Sequence, residues 1–117
     1  MSVKSISIRT AADGSYTYER SFKGVIHGIE FVIGDLSTPD IDVTDDDYSK
    51  TLLSVNGVAA DTMYLPSDFF QAADATTAAL VGTGMKGASP AVVMGTLKVA
   101  ITGGGDTKRG RVNILYT

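Results

Sequence analysis

Hydrophobic and polar residues alternate along most of the chain with a period of two, the signature of strands that bury one face. The clearest stretch is the last one, GTLKVAITGGGDTKRGRVNILYT, from Gly95 to Thr117. Leu97, Val99 and Ile101 share one face, and Val112, Ile114 and Tyr116 share another. Between them Gly103-Gly104-Gly105-Asp106 tolerates the positive φ of a reversal. The pattern predicts a long-armed β-hairpin here. A second hairpin is expected at the start. Ile6 and Ile8 alternate with Ser5, Ser7 and Arg9. Ala11-Ala12-Asp13-Gly14 turns the chain, and Tyr16, Tyr18 and Phe22 follow on one side.

The middle of the chain adds further short strands. Val25–Ile33 is apolar on both faces and is expected at the centre of a sheet, with a bulge at His27-Gly28. Ile41 and Val43 alternate with aspartates and predict a short or edge strand. Asp45-Asp46-Asp47 is expected to form a turn or exposed corner. Tyr48–Val55 reads as another strand, ended by Asn56-Gly57, and Thr62–Leu65 as a short one stopped by Pro66. Ser67–Val81 is alanine-rich without alternation and fits a short helix or a packed loop. Gly82–Gly95 reads as a long surface loop. Seven or eight strands at regular spacing, with long loops and at most one short helix, predict an all-β antiparallel β-sandwich. Jelly-roll and Ig-like Greek-key connections both fit.

At 117 residues and 12.2 kDa the chain is read as one domain, spanning 1–117. Size scaling gives a folded surface of about 6,000 Å² against about 17,700 Å² unfolded, enough burial for a single core. The absence of cysteine excludes disulfides, thiolate metal sites and a cysteine nucleophile. No apolar run approaches a membrane span, and the first ten residues lack a signal-peptide core, so assembly in a cytoplasm is expected.

Charge is segregated. Residues 24–49 carry seven acidic side chains and no Lys or Arg, whereas 98–111 carry Lys98, Lys108, Arg109 and Arg111 against Asp106 alone. Such asymmetry either steers association, including copies meeting head to tail, or marks two solvated faces.

Candidate chemistry is sparse. His27, the single histidine, stands among apolar residues, and no serine sits in a nucleophile-elbow spacing. A structural histidine is the reading these residues favour. Asp40, Asp42 and Asp45–Asp47 offer oxygen ligands within one loop but lack the glycine and glutamate of an EF-hand. Turn chemistry accounts for aspartates there equally well. The glycine-rich GGGDTKRG joins two strands and lacks P-loop spacing. An overall net charge of −3 disfavours nucleic acid and favours contact of the basic segment with an acidic protein surface.

The order of these segments resembles small virion structural proteins of tailed phages. The resemblance rests on SISIRTAADGSYTYERSF, on GIEFVIGD, on Met63-Tyr64-Leu65-Pro66 and most specifically on GTLKVAITGGGDTKRGRVNILYT. The Asp45–Asp47 cluster and the Gly82–Gly95 loop depart from the pattern. It implies a head decoration (cement) protein of the virion surface, or a relative used in a head fibre or neck. Such a protein would be a homotrimeric β-sandwich that bridges major-capsid subunits. No catalytic residues, cofactor, membrane or nucleic acid come with it. Within that reading, Phe69, Phe70, Lys86, Lys108 and Arg109 are the candidate protein-contact residues, the two phenylalanines serving equally well as core. The alternative is a carbohydrate-binding or adhesion module, with calcium held by the Asp40–Asp47 loop.

Overall fold

The computed structural model describes residues 1–66 and 91–117. Among these, nine strands form two antiparallel sheets: β1 (Ser2–Arg9), β2 (Tyr16–Ser21), β3 (Gly24–Val32), β4 (Asp40–Asp45), β5 (Lys50–Val55), β6 (Thr62–Tyr64), β7 (Ala91–Val93), β8 (Thr96–Thr102) and β9 (Arg109–Tyr116). One sheet runs β1-β9-β3-β6, with β7 also pairing β3; the other runs β2-β8-β4-β5. Position by position, each strand of the first order continues through one loop into its counterpart in the second. β1 leads to β2, β3 to β4, β5 to β6 and β8 to β9. That is the double-sheet order of a jelly roll and not the arrangement of an Ig domain.

The period of two explains the core. Ile6 and Ile8 of β1, Ile29 and Phe31 of β3, and Val112 and Ile114 of β9 are buried from one sheet. Ile41 and Val43 of β4, Leu52 of β5, and Leu97, Val99 and Ile101 of β8 are buried from the other. β3 is central as expected, and its register slips between Ile26 and Gly28, where the bulge was placed.

Both predicted hairpins are corrected. β8 pairs with β2 and β4, and β9 pairs with β1 and β3, so no ladder joins β8 to β9. Likewise β1 and β2 lie in different sheets. The glycine-rich turn and the Asp13-Gly14 turn are therefore arches that cross from one sheet to the other. The physical reason is burial. Leu97, Val99 and Ile101 cover Val112 and Ile114 face to face across the core, which a flat hairpin would instead set side by side. Three smaller corrections follow. Ala91–Val93, expected within a loop, forms β7. β4 is flanked by β8 and β5 and is not an edge. Asp45 is buried, with the exposed corner shifted to a 3₁₀ turn at Asp46–Tyr48.

The arches stack on one another at one end of the sandwich. Thr10 N–H donates to the Lys108 carbonyl (2.9 Å), Gly104 N–H to Gly14 (3.0 Å) and Ser37 N–H to Gly104 (3.1 Å). Contact is close enough to demand glycine at Gly14, which also has φ +83°. A Cβ there would stand 2.9 Å from the Gly105 nitrogen. The buried Thr10 hydroxyl ties two arches together, donating to the Gly105 carbonyl (2.6 Å) and accepting from Lys108 N–H (2.7 Å). At the opposite end the chain crosses sheets twice more, and Phe22 N–H donates to the Gly95 carbonyl (2.9 Å). There Phe22 meets Tyr116 edge to face, with ring centroids 5.1 Å apart.

Candidate binding face

The arches decide which side chains reach the outside of each sheet. On the five-stranded sheet the outward rows are Val3, Ser5, Ser7 and Arg9 of β1, and Arg109, Arg111, Asn113 and Leu115 of β9. Next to them stand Glu30 and Val32 of β3, with Met63 of β6 paired to Glu30. Three zones follow from this register.

The zone nearest the arches is basic. Arg9 and Arg109 are direct cross-strand partners, and Arg111 sits between Ser7 and Val32. Together they line a cleft of about 520 Å³. The middle zone is a polar ladder across three strands. Ser5 Oγ donates to Asn113 Oδ1 (2.8 Å), and Asn113 Nδ2 donates to Glu30 Oε1 (2.8 Å). The far zone is apolar. Val3 pairs with Leu115, Leu115 with Gly28, and Val92 of β7 with Val25. Met63 lies across Gly28, where a Cβ would be 3.1 Å from its sulfur. Val3, Met63 and Val92 remain 60%, 50% and 44% exposed.

The outer face of the four-stranded sheet is different. Its rows are Thr17 and Glu19 of β2, Thr96, Lys98, Ala100 and Thr102 of β8, Asp42 and Thr44 of β4, and Thr51 and Ser54 of β5. Glu19 and Lys98 are cross-strand partners 3.9 Å apart, and Ser54 Oγ donates to Asp42 Oδ1 (2.6 Å). Small polar side chains, one cross-strand ion pair and a hydrogen-bonded aspartate make this surface polar.

Of the sequence-predicted contact residues, Phe69, Phe70 and Lys86 lie outside the described residues. Lys108 is half-buried in the arch beside Gly105, and its backbone N–H donates to the Thr10 hydroxyl. Arg109 is exposed at the rim of the basic zone, its N–H donating to Asp35 Oδ1 (2.5 Å). Reading the sequence missed Arg9. The available signal was its outward position beyond Ser5 and Ser7 on an alternating strand.

The aspartates are used one by one, as backbone and side-chain acceptors. Asp40 Oδ1 accepts Gly57 N–H (2.8 Å), Asp61 Oδ1 accepts Ile33 N–H (3.0 Å) and Asp47 Oδ1 accepts the Thr96 hydroxyl (3.1 Å). Asp45 Oδ2 accepts Met94 N–H (3.4 Å), and its cross-strand partner Lys50 donates to the Val92 carbonyl (2.9 Å). Among the described residues no three acidic or histidine side chains converge as a metal-ligand set. The segregated acidity of residues 24–49 is thus spent largely on holding loops and strand ends. The same use appears in the first arch. Asp13 accepts both the Ser15 hydroxyl (2.6 Å) and the Ser15 N–H (3.1 Å), and these bonds hold its carboxyl below the usual value. His27 Nε2 lies 2.9 Å from the Thr117 hydroxyl at the bulge.

No family model matches the chain, and a search of curated proteins finds no match.

Proposed function

We propose that this chain is a non-catalytic binding protein that docks through the outer face of its five-stranded sheet. In keeping with the sequence resemblance, we assign it the role of a tailed-phage head decoration (cement) protein. As a homotrimer it would bridge major-capsid subunits from outside the shell. The observation that carries this reading is the inequality of the two outer faces. One offers solvent-exposed Val3, Met63 and Val92 beside a ladder of polar groups, and the other is threonine- and serine-rich, with Glu19 beside Lys98 and Asp42 bonded to the Ser54 hydroxyl. Apolar side chains gathered on one side of a small domain mark a contact surface. A shell lattice multiplies a modest contact per copy into stable attachment.

The test uses capsids that lack this chain. The purified protein is expected to sediment with them and to scatter light as a trimer of the 12.2 kDa chain. Met63→Asp combined with Val92→Asp is expected to weaken attachment by about a hundredfold or more, as loss of a central apolar anchor does. Thr51→Asp, on the other face, should leave it unchanged. A chain that stays monomeric and fails to bind such shells would sink the reading.

A further inference from the structure

We infer that the cleft lined by Arg9, Arg109 and Arg111 binds an acidic peptide segment of a partner protein, its carboxylates gripped by the guanidinium forks. The inference rests on the outer face being the docking face and names the chemistry of its basic zone.

Register and the lining of the cleft bring the three arginine side chains to one place. Arg9 and Arg109 stand opposite each other on neighbouring strands, about 5 Å apart at Cβ. Arg111 follows Arg109 by two residues, about 7 Å along the strand. All three therefore leave the same side of the sheet. Gly34 and Gly110 also line the cleft, so part of its surface is bare backbone. The cleft is an open depression on the sheet surface, accessible to an extended segment.

None of the three arginines forms an ion pair among the described residues. The nearby Asp35 carboxylate accepts the Arg109 backbone N–H through Oδ1 and forms no ion pair with these guanidinium groups among the described residues. Arginines elsewhere are treated differently: Arg20 lies over the Tyr18 ring at 5.7 Å and donates to the Glu19 carbonyl (2.9 Å). Like charges directly opposed across a strand pair destabilise a sheet. Three of them around one cleft weaken the free protein, and an anionic ligand removes that cost on binding.

The anion is a set of carboxylates and not a nucleic acid. The cleft is lined by no aromatic ring on which a base would stack. The chain carries a net charge of −3, which opposes a long polyanion while leaving a short acidic segment free to enter a local positive field. Guanidinium matches carboxylate two bonds at a time, whereas a lysine cluster would not.

The probe is a fluorescein-labelled hexaglutamate peptide titrated into the 117-residue chain and followed by anisotropy. Saturable binding that weakens with added salt is expected, with shifts of the Ser7, Gly110 and Arg111 amides in NMR spectra. The triple variant Arg9→Gln, Arg109→Gln, Arg111→Gln should bind at least about tenfold more weakly. It should melt no lower than the wild type, because repulsion is relieved. Lys98→Gln, on the other face, should bind as the wild type does. Three outcomes overturn the inference: no saturable binding, equal binding by the triple variant, or preference for a single-stranded oligonucleotide of equal charge. The NMR arm needs only the wild-type chain, so a misfolded variant does not blunt the test. If hexaglutamate fails while Met63→Asp with Val92→Asp still releases shells, the docking face stands and the arginine cleft falls. If hexaglutamate binds while shells do not, the cleft stands and the capsid assignment falls.

Discussion

Strands β1 and β9 occupy the same lateral place in one sheet that β2 and β8 occupy in the other, since arches join β1 to β2 and β8 to β9. Each pair carries one directly opposed pair of charges. On the four-stranded sheet it is Glu19 against Lys98, and on the five-stranded sheet Arg9 against Arg109. Backbone geometry is equivalent in the two places, and both pairs lie at a sheet edge. The difference is whether the sheet answers its own charge. A face that answers it has no electrostatic need of a partner. A face that leaves like charges together, and exposes Val3, Met63 and Val92 on the same side, gains from one.

The largest effect expected from a single substitution separates folding from docking within one strand pair. Phe31 and Met63 are on adjacent elements, but Phe31 is fully buried whereas Met63 is half exposed. Phe31→Ala should cost about 3–5 kcal/mol, read from chemical denaturation. Whatever fraction remains folded should bind its partner with unchanged affinity. Met63→Ala should do the reverse: a change in stability below about 1 kcal/mol, with a measurable loss of binding. If Phe31→Ala alters affinity per folded molecule as strongly as Met63→Ala does, inside and outside are not independent layers.

A middle-sized effect concerns the arches that fix the arginine row. Thr10→Val keeps shape but removes the hydroxyl that serves the Gly105 carbonyl and the Lys108 N–H. A buried donor and acceptor left unmatched should cost about 1–3 kcal/mol in thermal or chemical unfolding. Because Arg9 precedes Thr10 and Arg109 follows Lys108, amide shifts should concentrate in β1 and β9 near the cleft. The Glu19–Lys98 face should be left as it was. A perturbation spread evenly over both sheets would show that the arches do not position the basic zone separately.

Much of this was legible in the residues, and the parts that were not share a cause. Alternation told which side chains of β3, β8 and β9 go inward, and His27-Gly28 marked the bulge. Alternation is silent on partners, however. Gly103–Gly105 supplies the positive φ of a tight hairpin and of a cross-sheet arch alike, with φ of +70° at Gly103 and +89° at Gly105. What makes it an arch is the close packing of Gly14, Thr10 and Leu36 against Gly104, residues far away in sequence. Ala91–Val93 is too short for a period to register, and its strand identity comes from pairing with β3. The meeting of Arg9 with Arg109 depends on register across the length of the chain, so local reading found Arg109 and Arg111 but not Arg9. The charge run at 98–111 was visible, but its division between two faces was not: Lys98 belongs to the solvated sheet and Arg109 and Arg111 to the other.

The smallest effect tests the comparison at its root. Glu19 and Lys98 are partly exposed and 3.9 Å apart, near the limit for an ion pair. Water and salt screen such a pair, and ordering two long side chains offsets part of the attraction. A double-mutant cycle with Glu19→Gln and Lys98→Gln should therefore return a favourable coupling of about 0.2–0.5 kcal/mol, shrinking as salt is added. The parallel cycle with Arg9→Gln and Arg109→Gln should return a coupling of similar size and opposite sign, also fading with salt. The signs carry the weight. Saturating hexaglutamate should turn the arginine coupling favourable, since both guanidiniums then face carboxylates, and should leave the Glu19–Lys98 value where it was. Two couplings of the same sign in the free protein would mean that the arginines are already neutralised, and the difference between the faces would then have to rest on their apolar side chains alone.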